Sequence, residues 1–195
     1  MRHAPFDNKN LFALLRGIAG YAADARRPVR RLVLVGSGPE EQALRGLVQE
    51  LGLGGLVDFP GFLPARAVAH ALRGAVALVL VSREEQWGLV VNEALALDLP
   101  VIVSNEVGSR DLLVRNLVNG FVVDANAPQV IGAAMLRLAE DEGTWQAMSR
   151  AAGERAWMGD AARLADAIEI LLFPDSPDAN ERIGALRAEM ENTFP

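Results

Sequence analysis

The chain has 195 residues, is 51% hydrophobic and carries a formal net charge of −6. Because a chain of this size and composition can bury a sizeable core, we expect one main domain. The negative charge argues against general nucleic-acid binding, which needs a basic face. The absence of cysteine excludes disulfides and thiolate metal sites. No apolar run is long enough to span a bilayer and no secretory signal is visible, so we expect a cytoplasmic protein.

Helix and strand patterns alternate along most of the chain. The predicted elements are a helix at 8–23, a strand at 31–35, a helix at 40–51, a strand at 56–59, a helix at 65–72, a strand at 75–81, a helix opening near 88, a strand at 100–104, a short helix at 109–115 and a strand at 120–123. Three helices follow, at 128–140, 144–157 and 161–172. This order predicts an α/β fold, a Rossmann-like open parallel sheet with helices on both faces.

The composition changes near the C-terminus. A breaker-rich linker covers 174–180 and one more helix is predicted at 181–191. We therefore expect a Rossmann-like domain over 1–173, followed by a linker and a C-terminal helix over 174–195.

The strand at 75–81 leads into a polar turn, and the turn opens a helix with Gly88 near its start. A helix start presents free backbone N–H groups and the positive end of the helix dipole, a geometry suited to phosphate. Glu85 and Glu93 lie eight positions apart across this turn. If every step were helical they would be about 12 Å apart. That distance is too long for one shared proton or metal, but it suits the two ends of a diphosphate-linked ligand.

A simpler interpretation of these two carboxylates stays open. Glu at a helix start favours the dipole, and Glu in mid-helix is usually a solvated surface residue. The helix after Gly88 is apolar almost all round, however, and so buried a helix usually keeps a carboxylate only where a partner meets it. This context favours a site that contains Glu85 and Glu93.

A second glycine-rich turn, with Gly36 and Gly38, joins the strand at 31–35 to the next helix. A dinucleotide-binding fingerprint would need a third glycine where Glu41 stands, and this carboxylate disfavours a nicotinamide or flavin oxidoreductase. The glycines could also serve only a tight turn. Since the chain has two histidines and no D-x-D pair, we expect no metal site.

Several short motifs occur together in one order. Between residues 2 and 141 the sequence resembles the C-terminal, donor-binding domain of the retaining family 4 glycosyltransferases, which have the GT-B fold. The motifs are Lys9-Asn10-Leu11, Val35-Gly36-Ser37-Gly38-Pro39, Val57-Asp58-Phe59-Pro60-Gly61-Phe62, the Glu85–Glu93 pair, Leu99-Pro100-Val101-Ile102, Val107-Gly108-Ser109 and Asn119-Gly120-Phe121-Val122-Val123.

The resemblance assigns roles to the residues around the turn. It implies that Glu85 holds hydroxyls of the donor sugar and that Glu93 holds the ribose hydroxyls. The amides of Gly88, Leu89 and Val90 would receive the diphosphate.

The resemblance also implies roles for residues elsewhere in the chain. Lys9 would stabilise the leaving diphosphate, with Arg2 upstream at a longer spacing than is usual in the family. Phe62 would contact the base, while Gly36 and Gly38 would stand at the nucleotide-facing end of the sheet. As alternatives, Lys9 is a surface lysine and Phe62 a core aromatic.

These similarities predict transfer of a sugar from a UDP- or GDP-sugar to a glycan or lipid-linked acceptor, with retention and without a metal or cofactor. The alternative is a non-catalytic nucleotide-sugar-binding or assembly module, because the family's N-terminal acceptor domain is missing from this chain. We expect peripheral membrane association and self-association as further properties, and no nucleic-acid partner.

The resemblance begins just after the strand that should open this domain. The strands at 31–35 and 75–81 should then flank a central strand that the chain does not obviously contain. We expect the flanking strands to pair directly, or a strand from elsewhere to fill the position. We also expect exposed apolar surface on the last helices and a marginally stable or self-associating chain.

Overall fold

The computed structural model describes residues 8–160, 168, 172, 181–185 and 188. The five strands are β1 (Leu32–Val35), β2 (Val57–Gly61), β3 (Leu78–Leu80), β4 (Val101–Ser104) and β5 (Gly120–Val123). The helices are α1 (Leu11–Asp24), α2 (Glu41–Glu50), α3 (Ala65–Arg73), α4 (Leu89–Leu95), α5 (Arg110–Leu113), α6 (Pro128–Glu140) and α7 (Glu142–Arg155), with a 3₁₀ turn at Ala156–Gly159. The alternating α/β fold predicted from the sequence is confirmed.

Most of the predicted C-terminal elements, the helix at 161–172, the linker at 174–180 and the helix at 181–191, lie outside the described residues. Ile168 and Leu172 are described as helical, and they are 47% and 67% exposed. Large apolar side chains exposed to this extent agree with the apolar surface expected on the last helices.

The strands form two parallel sheets rather than one continuous sheet. β1 pairs with β2, and β3, β4 and β5 pair in that order. Among the described residues β1 and β3 do not pair with each other, so the expected direct pairing of these flanking strands is wrong. Their separation leaves a groove between the two sheets.

The three-stranded sheet is the centre of the core. Val101, Ile102 and Val103 of β4 have no solvent exposure. Because successive side chains of a strand point to opposite faces, Ile102 packs in a cluster with residues of α1 and α6, whereas Val101 and Val103 pack in a cluster with residues of α4, α5 and α7. The strand is therefore covered on both faces, which is typical of a parallel strand with a continuous apolar run.

Helices α1 and α6 pack closely on one face of the sheet. The contact is made at Gly17 and Gly132, where a Cβ on Gly132 would lie 2.5 Å from the carbonyl oxygen of Gly17. A side chain at this crossing would push the helices apart, so both positions need glycine. The crossing fixes α1, and Lys9 lies two residues before this helix begins.

The C-terminal end of α5 is held by a buried arginine. Arg155, at the end of α7, donates from its guanidinium to the carbonyl oxygens of Leu113 at 3.2 Å and Leu112 at 2.6 Å. These bonds satisfy carbonyls at the C-terminal end of α5. Burial lowers the pKa of Arg155 below its ordinary value, and the positive charge of the nearby Arg115 lowers it further.

Candidate functional site

Two of the residues predicted to form a site, Lys9 and Glu85, are in direct contact. The Lys9 ammonium donates to Oε2 of Glu85 across 76 positions of sequence. The buried Ser82 hydroxyl lies 3.4 Å from the same oxygen. Lys9 is 60% exposed and Glu85 only 18% exposed. The carboxylate is thus held in place, while the ammonium remains accessible to a ligand.

Asn10 determines where Lys9 lies. Its side-chain amide donates to the carbonyl oxygens of Val81 at 2.9 Å and Ala125 at 2.7 Å. Asn10 itself is fully buried, in a left-handed conformation with φ of 57°. These bonds attach the start of α1 to the segments that follow β3 and β5. Lys9 is thereby fixed beside Glu85.

No functional role was predicted for Asn10 from the sequence. An Asn just before a helix is usually interpreted as an N-cap, but Asn10 makes no side-chain capping bond to α1. Its two acceptors are 71 and 115 positions away. The only local signal was its place in the Lys9-Asn10-Leu11 motif.

The turn that contains Glu85 is paired with the segment after β4. The Gly108 amide donates to the Glu85 carbonyl at 2.8 Å, and the Ser109 amide donates to the Trp87 carbonyl at 3.1 Å. A Cβ on Gly108 would overlap the carbonyl oxygen of Gln86 and lie 2.8 Å from its carbonyl carbon. Gly108 therefore allows the close approach of two backbones that shapes the turn.

Gly88 is the N-cap of α4, with φ of 86°, so the helix start predicted near this residue is confirmed. A Cβ on Gly88 would lie 2.8 Å from Cδ2 of Leu80. Because α4 begins at Leu89, only the second part of the segment from Glu85 to Glu93 is helical, and the 12 Å estimate for an all-helical segment does not apply. The amides of Leu89 and Val90 are in the first turn, where N–H groups have no intrahelical acceptor.

The helix α4 is apolar in sequence, but the expectation that it is buried nearly all round is wrong. Val91, Ala94 and Leu95 are buried, but Leu89 is 71% exposed and Glu93 is also exposed. Because Glu93 is not buried, its carboxylate does not need a charged or hydrogen-bonding partner within the protein. Its carboxylate is accessible on the solvent side of α4, one to two turns beyond Gly88.

Gly36, Gly38 and Phe62 lie at the ends of β1 and β2. The Gly36 amide donates to the Gly61 carbonyl at 2.8 Å, which joins the two turns. Gly36 has φ of 114°, a conformation that favours glycine. Phe62 is 81% exposed, so the alternative that it is a core aromatic is wrong. The groove between the two sheets separates these three residues from Lys9 and Glu85. The remaining predicted site residue, Arg2, lies outside the described residues.

The described part of the chain contains no group of three or more His, Asp or Glu residues placed to hold a metal ion. Every helix within that part is too short or too polar to cross a lipid bilayer.

The chain is similar in sequence to curated proteins. The curated exopolysaccharide phosphotransferase SCO2592 of Streptomyces coelicolor is 32% identical over 142 residues, which cover 72% of this chain and 14% of that protein. The GDP-mannose-dependent alpha-(1-6)-phosphatidylinositol monomannoside mannosyltransferase of Mycobacterium tuberculosis is 34% identical over 150 residues, which cover 69% of this chain and 38% of that protein.

The fold is also similar to solved structures. The crystal structure of Anabaena Alr3699/HepE in complex with UDP matches with a TM-score of 0.75 and 23% identity, over 88% of this chain and 46% of that one. The chain spans less than half the length of each of these three proteins. The model of the glycosyl transferases group 1 family matches residues 5–155, which include the Lys9–Glu85 contact and all five strands. This chain therefore belongs to the group 1 glycosyl transferase family.

Proposed function

We propose that this chain is the donor-binding, C-terminal half of a retaining family 4 glycosyltransferase. It would bind a UDP- or GDP-sugar, and the sugar would pass to a hydroxyl of a glycan or lipid-linked acceptor. The observation that carries the proposal is the contact between Lys9 and Glu85 beside the start of α4. An accessible cation, a held carboxylate and a helix start then lie together, and a sugar diphosphate needs all three.

Lys9 would act on the leaving group. As the glycosidic bond breaks, negative charge develops on the diphosphate, and a compact ammonium stabilises that charge. In the free chain the ammonium is paired with Glu85. Donor binding would move Lys9 toward the phosphate oxygens and leave the Glu85 carboxylate to accept hydrogen bonds from the sugar hydroxyls.

The remaining residues would hold the donor along its length. The amides of Gly88, Leu89 and Val90 would receive the diphosphate at the positive end of α4. Glu93 would accept hydrogen bonds from the ribose hydroxyls, and the exposed ring of Phe62 would meet the base.

The glycine turn and the upstream arginine complete the proposed donor site. Gly36 and Gly38 would line its nucleotide-facing end and Arg2 would assist Lys9. Since Lys9 and the helix start would supply the positive charge, we propose that binding needs no metal.

Similar proteins support the proposal that the donor is either a UDP-sugar or a GDP-sugar. One solved relative holds UDP, and a curated relative is named as GDP-mannose-dependent. The acceptor would bind to a separate N-terminal domain, and we place the protein in the cytoplasm with peripheral membrane contact where the acceptor is a lipid.

A second candidate is a non-catalytic module that binds nucleotide sugars or serves in assembly. It would use the same binding groups, because the Lys9–Glu85 contact and the start of α4 could hold a donor whether or not transfer follows. Titration with a UDP-sugar together with an assay of its hydrolysis separates the two, because a binding module shows affinity without turnover.

The proposed roles of the carboxylates predict different results for two substitutions. Glu93→Ala should weaken binding of UDP or GDP by about 1.5–3 kcal/mol, the value of a hydrogen bond to a charged group. Glu85→Ala should leave nucleotide affinity unchanged and remove the preference for the intact sugar nucleotide. Isothermal titration calorimetry with nucleotide and sugar nucleotide measures both effects.

Glu84 provides the matched control, because it is an exposed glutamate next to Glu85 to which we assign no role. Glu84→Ala should bind both ligands like the unsubstituted chain. If Glu93→Ala and Glu85→Ala also bound both ligands normally, the assignment of the site would be wrong.

A further inference from the structure

Trp87 joins the turn that contains Glu85 to helix α4. The indole N–H of Trp87 donates to Oδ1 of Asn92, within α4, at 3.0 Å. The two residues lie on opposite sides of Gly88, the N-cap of the helix, whose φ is 86°. Because glycine has the widest range of backbone conformations, Gly88 can act as a hinge between the turn and the helix. The bond between Trp87 and Asn92 spans this hinge and restricts it.

Asn92 also binds a third element of the fold. Its Nδ2 donates to the carbonyl oxygen of Gly159 at 2.7 Å. Gly159 is the last residue of the 3₁₀ turn that follows α7. A Cβ at this position would lie only 2.3 Å from the Asn92 nitrogen. Glycine therefore allows the close approach that the hydrogen bond needs.

The 3₁₀ turn is anchored to the core. Ala156 and Met158 of this turn pack against the buried cluster that contains Val91 of α4. Side chains packed at interior density leave little room for movement of the backbone that carries them. The carbonyl of Gly159 is therefore a fixed acceptor for Asn92.

Only one orientation of the Asn92 amide satisfies both of its partners. An indole N–H can only donate, and a backbone carbonyl can only accept. The amide oxygen must therefore face Trp87 and the amide nitrogen must face Gly159, which is the arrangement in the structure. Aspartate lacks the donor, and glutamine is one methylene too long for the close approach at Gly159. Asparagine is thus the side chain whose length and chemistry fit both bonds.

The backbone of Trp87 is held separately from its side chain. The Ser109 amide donates to the Trp87 carbonyl at 3.1 Å. If the bond between Trp87 and Asn92 were lost, the turn would keep this backbone pairing but could rotate relative to α4 about Gly88. Asn92 therefore controls where the turn lies relative to the helix, rather than whether the turn forms.

We propose that Asn92 is a positioning residue, which sets the distance between Glu85 and the first amides of α4. This inference rests on the proposed function, in which Glu85 holds the donor sugar and the amides from Gly88 to Val90 bind the diphosphate. A sugar diphosphate has a limited reach, so a wrong angle at Gly88 would prevent the donor from making both contacts at once. A nucleotide without the sugar needs only the amides and is insensitive to this angle.

Two substitutions break the two bonds separately. Trp87→Phe keeps an aromatic ring but removes the indole donor, whereas Asn92→Asp keeps the acceptor for Trp87 but removes the donor to Gly159. Calorimetry with UDP-glucose and UDP, and with GDP-mannose and GDP, gives the ratio of sugar-nucleotide affinity to nucleotide affinity. Each substitution should lower this ratio by about threefold to tenfold, the value of one neutral hydrogen bond. The double variant should lose no more than the larger single change, because both bonds act through the same side chain.

Two further variants control for a merely structural effect. Trp145→Phe also removes an indole bond to a carbonyl, that of Val76 at 2.8 Å. Asn116→Asp keeps an acceptor for the Val122 amide, which donates to the Asn116 side chain at 2.9 Å. Neither should change the affinity ratio, although Trp145→Phe should lower the free energy of unfolding as Trp87→Phe does.

A measurement without ligand gives a second test if Trp87→Phe does not fold. Gly159→Ala should push the Asn92 amide away and release the Trp87 indole. We expect solvent exchange of this indole proton, followed by NMR, to become about threefold to tenfold faster. Gly143→Ala is the control, because a Cβ there has no neighbour closer than 3.5 Å, and it should leave the exchange unchanged.

The outcomes separate this inference from the proposed function. Binding by the unsubstituted chain, with unchanged affinity ratios in Trp87→Phe and Asn92→Asp, would overturn this inference alone. Unchanged indole exchange in Gly159→Ala would overturn it as well. If the unsubstituted chain bound none of the four ligands, the proposed function would be wrong and the inference would be overturned with it.

Discussion

Asn10→Ala is expected to destabilise the chain strongly and to separate Lys9 from Glu85. The substitution leaves the carbonyl oxygens of Val81 and Ala125 without the amide that now pairs with them. A buried group that loses its partner costs about 1–3 kcal/mol, and here there are two. Alanine also fits the left-handed backbone at this position less well than asparagine. Urea unfolding should show the loss in the free energy of unfolding.

Asn8→Ala is the matched control, because Asn8 is exposed and its contact with Arg83 uses only its backbone carbonyl. It should change the free energy of unfolding by less than about 0.5 kcal/mol. Asn10→Gly separates the two causes, since glycine tolerates the left-handed backbone but lacks the amide. Normal stability of Asn10→Gly would contradict the role given to the hydrogen bonds.

Gly108→Ala is expected to open the turn that carries Glu85. The new Cβ would meet the backbone carbonyl of Gln86, which cannot move aside like the end of a flexible side chain. Relief of this overlap requires a shift that breaks the bonds of the Gly108 and Ser109 amides to the turn. We expect a loss of about 1–3 kcal/mol in unfolding free energy, together with weaker binding of nucleotide sugars.

Gly46→Ala is the control for this substitution. Gly46 lies within α2, and a Cβ there has nothing within 4 Å. Alanine in an exposed helix should raise stability by about 0.5–1 kcal/mol. If Gly108→Ala were as stable as Gly46→Ala and bound donor normally, the close approach would have no functional importance.

Local patterns were sufficient to predict the elements that hold the site. The apolar run at 100–104 predicted the strand β4, and the glycine after the polar turn predicted the start of α4. The site residues Lys9 and Glu85 could be selected only by resemblance, because no local rule pairs residues 76 positions apart.

The features that could not be predicted depend on tertiary packing. The sequence of α4 predicted a helix buried on nearly all sides, but the sheet covers only one side of it. Glu93 is therefore exposed. Phe62 comes directly after β2, and its side chain is also exposed. The sequence could not show whether β1 and β3 pair directly or stay apart, because the same apolar residues are expected in both arrangements.

The most direct test of the donor site is an NMR titration of the ¹⁵N-labelled chain with UDP and with GDP, in the presence of EDTA. We expect the amide signals of Gly88, Leu89 and Val90 to shift most with at least one nucleotide, because these groups would bind the diphosphate without a metal. Shifts centred elsewhere, or shifts that appear only when Mg²⁺ or Mn²⁺ replaces EDTA, would contradict the proposed donor site.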